Sequence, residues 1–145
     1  MKKLLLFISL LIGTICSYSQ DNILIDHIGI EDKPVGSILI KSKGASLIDS
    51  SSIDRDFVTI IDLKEDNYTI FKKLILQNKY LQDTAVSVNY GSFSVTLFKD
   101  SKKQKFYVSS LLSATFFSEL LKQLELLQFE SELISNLKRI LYRIN

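Results

Sequence analysis

The sequence predicts an α+β fold, in which an antiparallel sheet of about five to six strands packs against two or three amphipathic helices. Two observations predict this architecture. Between Ala85 and Val108, apolar and polar residues alternate as they do in half-buried strands. From Leu111 onward the apolar spacing changes to that of a helix, which predicts a long helical C-terminus. A sheet and a helix with one apolar face each bury those faces against one another.

The beginning of the chain has the layout of a secretory signal peptide. Lys2 and Lys3 precede an apolar run over Leu4–Ile15, and the small residues Ser17 and Ser19 follow it. We therefore predict that residues up to Ser19 form a signal peptide and that cleavage occurs after Ser19. The exported chain would reside in the periplasm or the extracellular space.

Cleavage would change the composition of the chain. Residues 20–145 are of ordinary single-domain size, and we predict that they form one α+β domain. Without Lys2 and Lys3, the 18 basic residues become 16, against 16 acidic ones, so this part is formally neutral. Neutrality gives no reason to expect nucleic acid as a partner. The only cysteine, Cys16, is also lost, so the mature chain is cysteine-free and cannot form disulfides.

The apolar run also bears on membrane attachment. A permanent span takes about 20 apolar residues, so we expect none after signal cleavage. A lipoprotein anchored through Cys16 is less favoured than a free exported protein. The reason is that Ile15 occupies the position where lipoproteins carry a small residue.

Three of the predicted strands lie in the first half of the chain. Residues 22–30 and 37–41 are rich in isoleucine and partly alternating, and the proline and glycine within residues 31–36 are typical of a turn between them. The polar residues 42–56 predict a surface loop. The β-branched run 57–63 predicts the third strand.

A helix is predicted over Tyr68–Tyr80. Asp66 or Asn67 can cap its first turn, and its lysines take the outer side. Its apolar side carries Ile70, Phe71, Leu74 and Ile75, followed by Leu81.

Further strands are predicted at residues 86–90 and 93–97. The apolar parity changes at Gly91, which indicates a tight turn or a bulge between them. The lysine-rich residues 99–103 then predict a connection, and Phe106–Val108 a short final strand.

Two apolar stripes follow, one beginning at Leu111 and the other at Leu133. They nearly keep a common heptad, so one long helix or two helices are both compatible with the pattern. A break near Gln128–Ser131 is favoured, because Phe129 lies off the stripe and Ser131 can cap a new helix. We expect one core to contain Phe93, Val95, Leu97, Phe117, Leu120 and Leu124.

No cofactor or metal motif appears in the sequence. His27 is the only histidine, whereas metal sites usually use two or more His or Cys ligands. The simplest interpretation of His27 is a half-exposed strand residue. The residue counts are compatible with a catalytic serine, histidine and carboxylate, but no G-x-S-x-G motif is present.

One basic patch combines lysines with aromatic residues near the end of the sheet. It could bind an anionic partner, but lysines also protect sheet edges from aggregation, and that structural role is the commoner one. The candidate binding residues are Lys99, Lys102, Lys103, Lys105 and Tyr107.

The function that these observations favour is a small exported binding or interaction module with an unidentified ligand, a protein being the favoured class. An enzyme is less favoured, since no catalytic spacing is present. One alternative is a secreted hydrolase that uses His27 with a serine and a carboxylate, with the loop at 42–56 as the serine source. Another is an envelope structural protein that pairs through its C-terminal helices.

Overall fold

The computed structural model describes residues 21–28, 34–45, 58–83, 92–99 and 102–144. The predicted signal peptide, the predicted strand at 86–90 and most of the predicted loop at 42–56 lie outside these residues. The α+β prediction is confirmed, with five strands and three helices among the described residues. In chain order they are β1 (Asn22–Ile28), β2 (Pro34–Ser42), β3 (Val58–Leu63), α1 (Glu65–Leu76), β4 (Phe93–Lys99), β5 (Lys102–Val108), α2 (Ser110–Leu126) and α3 (Ser131–Ile144).

The five strands form one sheet in the order β3-β2-β1-β4-β5. Three neighbouring pairs are antiparallel, as predicted, whereas β2 and β3 are parallel, with Ser37 opposite Val58 and Ser42 opposite Leu63. Parallel neighbours need a connection of a dozen or more residues. The chain between Ser42 and Val58 has that length, so the sheet is mostly antiparallel with one parallel edge.

Strand alternation gives the sheet two different faces. One face carries the aliphatic residues of the central strands and is covered by the helices, and we call it the helix-covered face. The opposite face, which we call the back face, carries polar residues beside Leu24 and Leu39. The predicted core is confirmed, since these residues are all buried: Phe93, Val95, Leu97, Phe117, Leu120 and Leu124.

The C-terminal region forms two helices that pack against each other, α2 and α3. The break predicted near Gln128–Ser131 is therefore confirmed. Gln128 adopts a left-handed φ of 55°. Its N–H donates to Glu125 and that of Phe129 donates to Leu124 (3.1 and 3.0 Å), the hydrogen-bond pattern of a Schellman helix end. Phe129 is buried there and contacts Phe71, with ring centroids 6.4 Å apart.

Several boundaries differ from the sequence expectation. Helix α1 begins at Glu65 and ends at Leu76, a few residues earlier than predicted. Pro34 opens β2 instead of lying in a turn, which proline can do at the first position of a strand. The predicted lysine-rich connection at 99–103 was wrong, because Lys99 ends β4 and Lys102 begins β5, directly opposite it. A connection of two residues lets both strands extend almost to the tip of the hairpin.

Candidate functional site

A cleft of about 620 Å³ lies between α1 and the β4–β5 hairpin. We call it the lysine cleft, because four of its seven described lining residues are lysines. The helix contributes Lys72 and Leu76, which lie one turn apart on the same side of α1. The complete described lining is Lys72, Leu76, Leu97, Lys99, Lys102, Lys103 and Gln104.

The hairpin register explains why the strand residues meet at the cleft. Leu97 is directly opposite Gln104, and Lys99 is directly opposite Lys102. Leu97 and Lys99 lie two and four residues after the buried Val95, and Gln104 and Lys102 lie two and four residues before the buried Phe106. All four side chains therefore lie on the helix-covered face of the sheet. Lys103 belongs by alternation to the back face and borders the cleft at the edge of the sheet.

Only one of the four cleft lysines has a carboxylate partner among the described residues. Lys72 Nζ lies 2.6 Å from Asp21 Oδ2, and the Tyr68 hydroxyl donates to the other oxygen of Asp21 at 3.3 Å. The described ion pairs include neither Lys99, Lys102 nor Lys103. The charge of Lys103 acts on the buried carboxylate of Asp26, so Lys99 and Lys102 are the lysines that give the cleft a positive potential that no described acidic side chain offsets.

The pairing of Lys99 with Lys102 is unfavourable for the fold itself. Like charges directly opposite each other on neighbouring strands destabilise a sheet. The two ammonium groups at the end of the hairpin therefore repel each other beside the cleft that they line. Such an arrangement becomes favourable when an anion lies between the two ammonium groups.

The five residues predicted as binding candidates do not all lie at one site. Lys99, Lys102 and Lys103 line the lysine cleft. Lys105 and Tyr107 lie on the back face of β5, where Lys105 Nζ is 5.4 Å from the centroid of the Tyr107 ring. Strand alternation separates residues that are close in sequence, and it divides the predicted patch between two faces.

Sequence reasoning missed four lining residues of the cleft. Gln104 lies between two predicted lysines and Leu97 was assigned to the core. Lys72 and Leu76 come from α1, far from the hairpin in sequence, and no local motif links the two regions. Only the packing of α1 across the sheet brings them together.

A buried carboxylate, Asp26, lies at the centre of the back face. Strand register places it between Ser37 and Ser94. Both hydroxyls donate to it, that of Ser37 at 2.6 Å and that of Ser94 at 3.4 Å. Burial raises the pKa of Asp26, while the hydrogen bond from Ser37 and the positive charge of Lys105 act in the opposite direction.

We expect Asp26→Asn to raise the melting temperature at neutral pH. The pKa of Asp26 in the folded chain is raised above its value in the unfolded chain. Protonation of Asp26 at low pH therefore stabilises the folded chain, and this stabilisation is lost as pH rises through the folded-state pKa. Asparagine cannot ionise, and its carbonyl still accepts a hydrogen bond from Ser37. The gain should therefore be largest near pH ~7 and shrink towards pH ~3, below the usual aspartate pKa of about 3.9.

The measurement is thermal unfolding of both proteins followed by circular dichroism across this pH range. Asp83→Asn is the matched control, because Asp83 is exposed and the same charge is removed. A lower melting temperature for Asp26→Asn at neutral pH would show that the serine hydrogen bonds outweigh the burial of the charge.

The side chain of His27 lies on the helix-covered face, whereas that of its neighbour Asp26 lies on the back face. Its ring stacks on Phe93 with centroids 4.7 Å apart and planes 9° apart. It is buried, with 6% of its surface exposed, so the expectation of a half-exposed histidine was wrong. Because the two side chains point to opposite faces, His27 and Asp26 do not form the acid and base of one catalytic site. Of the serines in the predicted loop at 42–56, Ser42 ends β2 and the others lie outside the described residues.

The described residues offer neither a metal-binding cluster nor a membrane-spanning helix. This part of the chain contains no group of three or more His, Cys, Asp or Glu side chains that could hold a metal ion. None of its helices has the length and apolar character needed to cross a membrane.

The side chains of the lysine cleft define the chemistry of what it can bind. No protein-family model, curated protein or solved structure matches this chain. Ammonium groups bind carboxylate, sulfate or phosphate oxygens, and Leu76 and Leu97 add apolar side chains to the lining. The described lining therefore combines charged, amide and apolar groups that can bind an anionic ligand.

Proposed function

We propose that this chain is an exported binding module whose lysine cleft holds an acidic segment of a partner protein. The observation that carries the proposal is that Lys99 and Lys102 lie directly opposite each other in the cleft, with Lys103 at its border, and that the described ion pairs include none of the three. Export rests on the signal-peptide layout of the first 19 residues.

The mixed character of the lining favours a polypeptide as the ligand. Leu76 is 44% exposed although it is a large aliphatic residue, so it offers contact area for methylene groups, while the buried Leu97 only borders the cleft. Gln104 adds an amide that can both donate and accept hydrogen bonds. A volume of about 620 Å³ accommodates several side chains and lies within the usual range of ligand sites. In an acidic polypeptide, the carboxylates match the lysines, the side-chain methylene groups match Leu76, and the backbone amides match Gln104.

The strength of such binding can be bounded from the exposure of the lysines. Lys99, Lys102 and Lys103 are all exposed, and exposed ion pairs contribute about 0.2–1 kcal/mol each. Three of them give modest affinity, with fast association and a strong dependence on salt. We therefore expect the interaction to be transient unless further contacts outside the cleft contribute.

The two alternative functions are supported by fewer observations. Pairing with a partner through the C-terminal helices needs a free apolar stripe, whereas the stripes of α2 and α3 pack against each other and the sheet. A hydrolase needs a base beside a nucleophile, and His27 is stacked within the core. The lysine cleft is the better-supported starting point for experiment.

The proposal is tested by mapping where an acidic peptide binds. The probe is an acetylated and amidated peptide of about eight residues in which Glu and Thr alternate, added to the ¹⁵N-labelled protein without residues 1–19. We expect the largest amide shift changes at Lys72, Leu76, Leu97, Lys99 and Lys102–Gln104. They should weaken as salt rises, because salt screens exposed charges.

Two controls separate the outcomes. A Gln-Thr peptide of the same length lacks the charges and should cause no comparable shifts. Shift changes spread over exposed lysines elsewhere, such as Lys64 and Lys122, would contradict a specific site in the cleft. A sulfated glycan can be added to the protein with the Glu-Thr peptide already bound. If the glycan does not displace the peptide from the cleft, that result would support a polypeptide as the partner.

A further inference from the structure

One lysine of the lysine cleft already holds a carboxylate of this chain, that of Asp21. The Oδ2 atom of Asp21 lies 2.6 Å from Lys72 Nζ, and its Oδ1 atom accepts a hydrogen bond of 3.3 Å from the Tyr68 hydroxyl. Lys72 lines the cleft, so Asp21 occupies an ammonium group that an anionic ligand could otherwise use. Asp21 is therefore a competitor for any carboxylate that enters the cleft.

Two side chains of α1 hold the Asp21 carboxylate in place. Tyr68 and Lys72 lie one turn apart on the same side of the helix, so both reach it. Burial, followed by the nearby charge of Asp21, raises the pKa of Tyr68, so its hydroxyl stays protonated and donates to Asp21. The side chains of Asp21 and Lys72 are each 23% exposed, so solvent screens their attraction only in part.

This contact can open without disturbing the sheet. Asp21 lies outside β1, which begins at the next residue, Asn22. Asn22 is buried and pairs with Lys41 and Phe98 on the two neighbouring strands, so the backbone is fixed from that point onward. A change of the Asp21 side-chain rotamer is therefore enough to release Lys72.

An acidic segment gains more from the cleft than Asp21 does. Asp21 engages Lys72 and Tyr68, whereas a segment with several carboxylates can contact Lys99 and Lys102 as well as Lys72. A ligand shifts an equilibrium between two states only by the difference in its affinity for them. A single small carboxylate lacks this advantage, because at Lys72 it would replace the contacts of Asp21 one for one.

We propose that Asp21 is an autoinhibitory residue, whose carboxylate blocks Lys72 until an acidic segment with several carboxylates displaces it. This inference rests on the proposed function and concerns the regulation of the same site. A partly exposed ion pair supported by one hydrogen bond leaves Lys72 free in roughly a tenth to a third of the molecules. The apparent affinity of the cleft is lowered by that fraction, which is about 3- to 10-fold.

Asp21→Asn tests the proposal, because asparagine keeps the shape of the side chain and lacks its charge. Calorimetric titration with the Glu-Thr peptide should show binding about 3- to 10-fold tighter than to the wild type. Asp62→Asn is the matched control, since it makes the same change in net charge and also releases a lysine, Lys41, outside the described cleft lining. The control should stay within about 2-fold of the wild type.

The side-chain carboxyl carbon of Asp21 reports the displacement itself. In the ¹³C-labelled wild-type protein, we expect its resonance to move in step with binding of the Glu-Thr peptide, because the carboxylate leaves Lys72 and Tyr68. The carboxyl resonance of Asp62, which pairs with Lys41, should stay in place. If the Asp21 charge only repelled the peptide from a distance, Asp21→Asn would tighten binding but the Asp21 resonance of the wild type would not move.

Each outcome decides the question. Tighter binding to Asp21→Asn alone, together with a moving Asp21 resonance in the wild type, supports autoinhibition. Peptide binding at the cleft with an unmoved Asp21 resonance overturns autoinhibition and leaves the proposed function standing. Unchanged or weaker binding to Asp21→Asn, or an equal gain in Asp62→Asn, also overturns autoinhibition alone. Absence of peptide binding to the wild type and to Asp21→Asn overturns both proposals.

Discussion

Leu120→Ala is expected to destabilise the folded protein by about 2–5 kcal/mol. Leu120 lies in the middle of α2 and is 1% exposed. It belongs to the core that joins the helix-covered face of the sheet to all three helices. Shortening it removes buried methyl groups and leaves a cavity, which the surrounding side chains fill only in part because the interior is close-packed.

Chemical denaturation followed by circular dichroism measures this loss. The matched control is Leu126→Ala, the same substitution in the same helix at a residue that is 74% exposed. The control should change the free energy of unfolding by no more than about 0.5 kcal/mol. If both variants changed stability equally little, the packing of α2 on the sheet described here would be wrong.

Much of the fold could be predicted because local patterns report it. The period of two in Phe93, Val95 and Leu97 placed these residues on the buried face of a strand. The helical stripe likewise placed Phe117 and Leu120 in the core. Solvent exposure on one side of each element imposes these periods, so they can be read from a short window of sequence.

The break between α2 and α3 was harder to predict. Glycine usually occupies the left-handed position at a helix end, and its absence here left one long helix as an alternative. The structure uses Gln128 at that position. The left-handed conformation of Gln128 costs backbone strain, and the burial of the next residue, Phe129, beside Phe71 offsets that strain.

The candidate site was only partly predictable. Lys99, Lys102 and Lys103 attracted attention as a cluster, but their division between strands and faces depends on a register that composition does not contain. Lys72 lies in the cleft because α1 packs against the hairpin, which no local pattern reports. The parallel direction of β3 likewise depends on the long connection between β2 and β3. Opposite orientations of Asp26 and His27 do follow from strand alternation, whereas the burial of both depends on what covers the sheet.

The second large effect is expected for the charge of the lysine cleft. Lys99→Glu combined with Lys102→Glu should weaken binding of the Glu-Thr peptide about 10- to 100-fold, since two attractions of about 0.2–1 kcal/mol each become repulsions. Both lysines are exposed, and they lie directly opposite each other. Stability should change little, because one pair of opposed like charges replaces another at two exposed positions outside the core. Circular dichroism checks that the fold is intact.

Calorimetric titration of this double variant is the most direct test that the lysine cleft is the binding site. The matched control is Lys64→Glu combined with Lys122→Glu, which makes the same change in net charge at two exposed lysines outside the cleft. The account predicts that the cleft variant loses binding by about 10-fold or more while the control stays within about 3-fold of the wild type. Equal losses in the two variants would show that the peptide responds only to overall charge, and the lysine cleft would then not be the site.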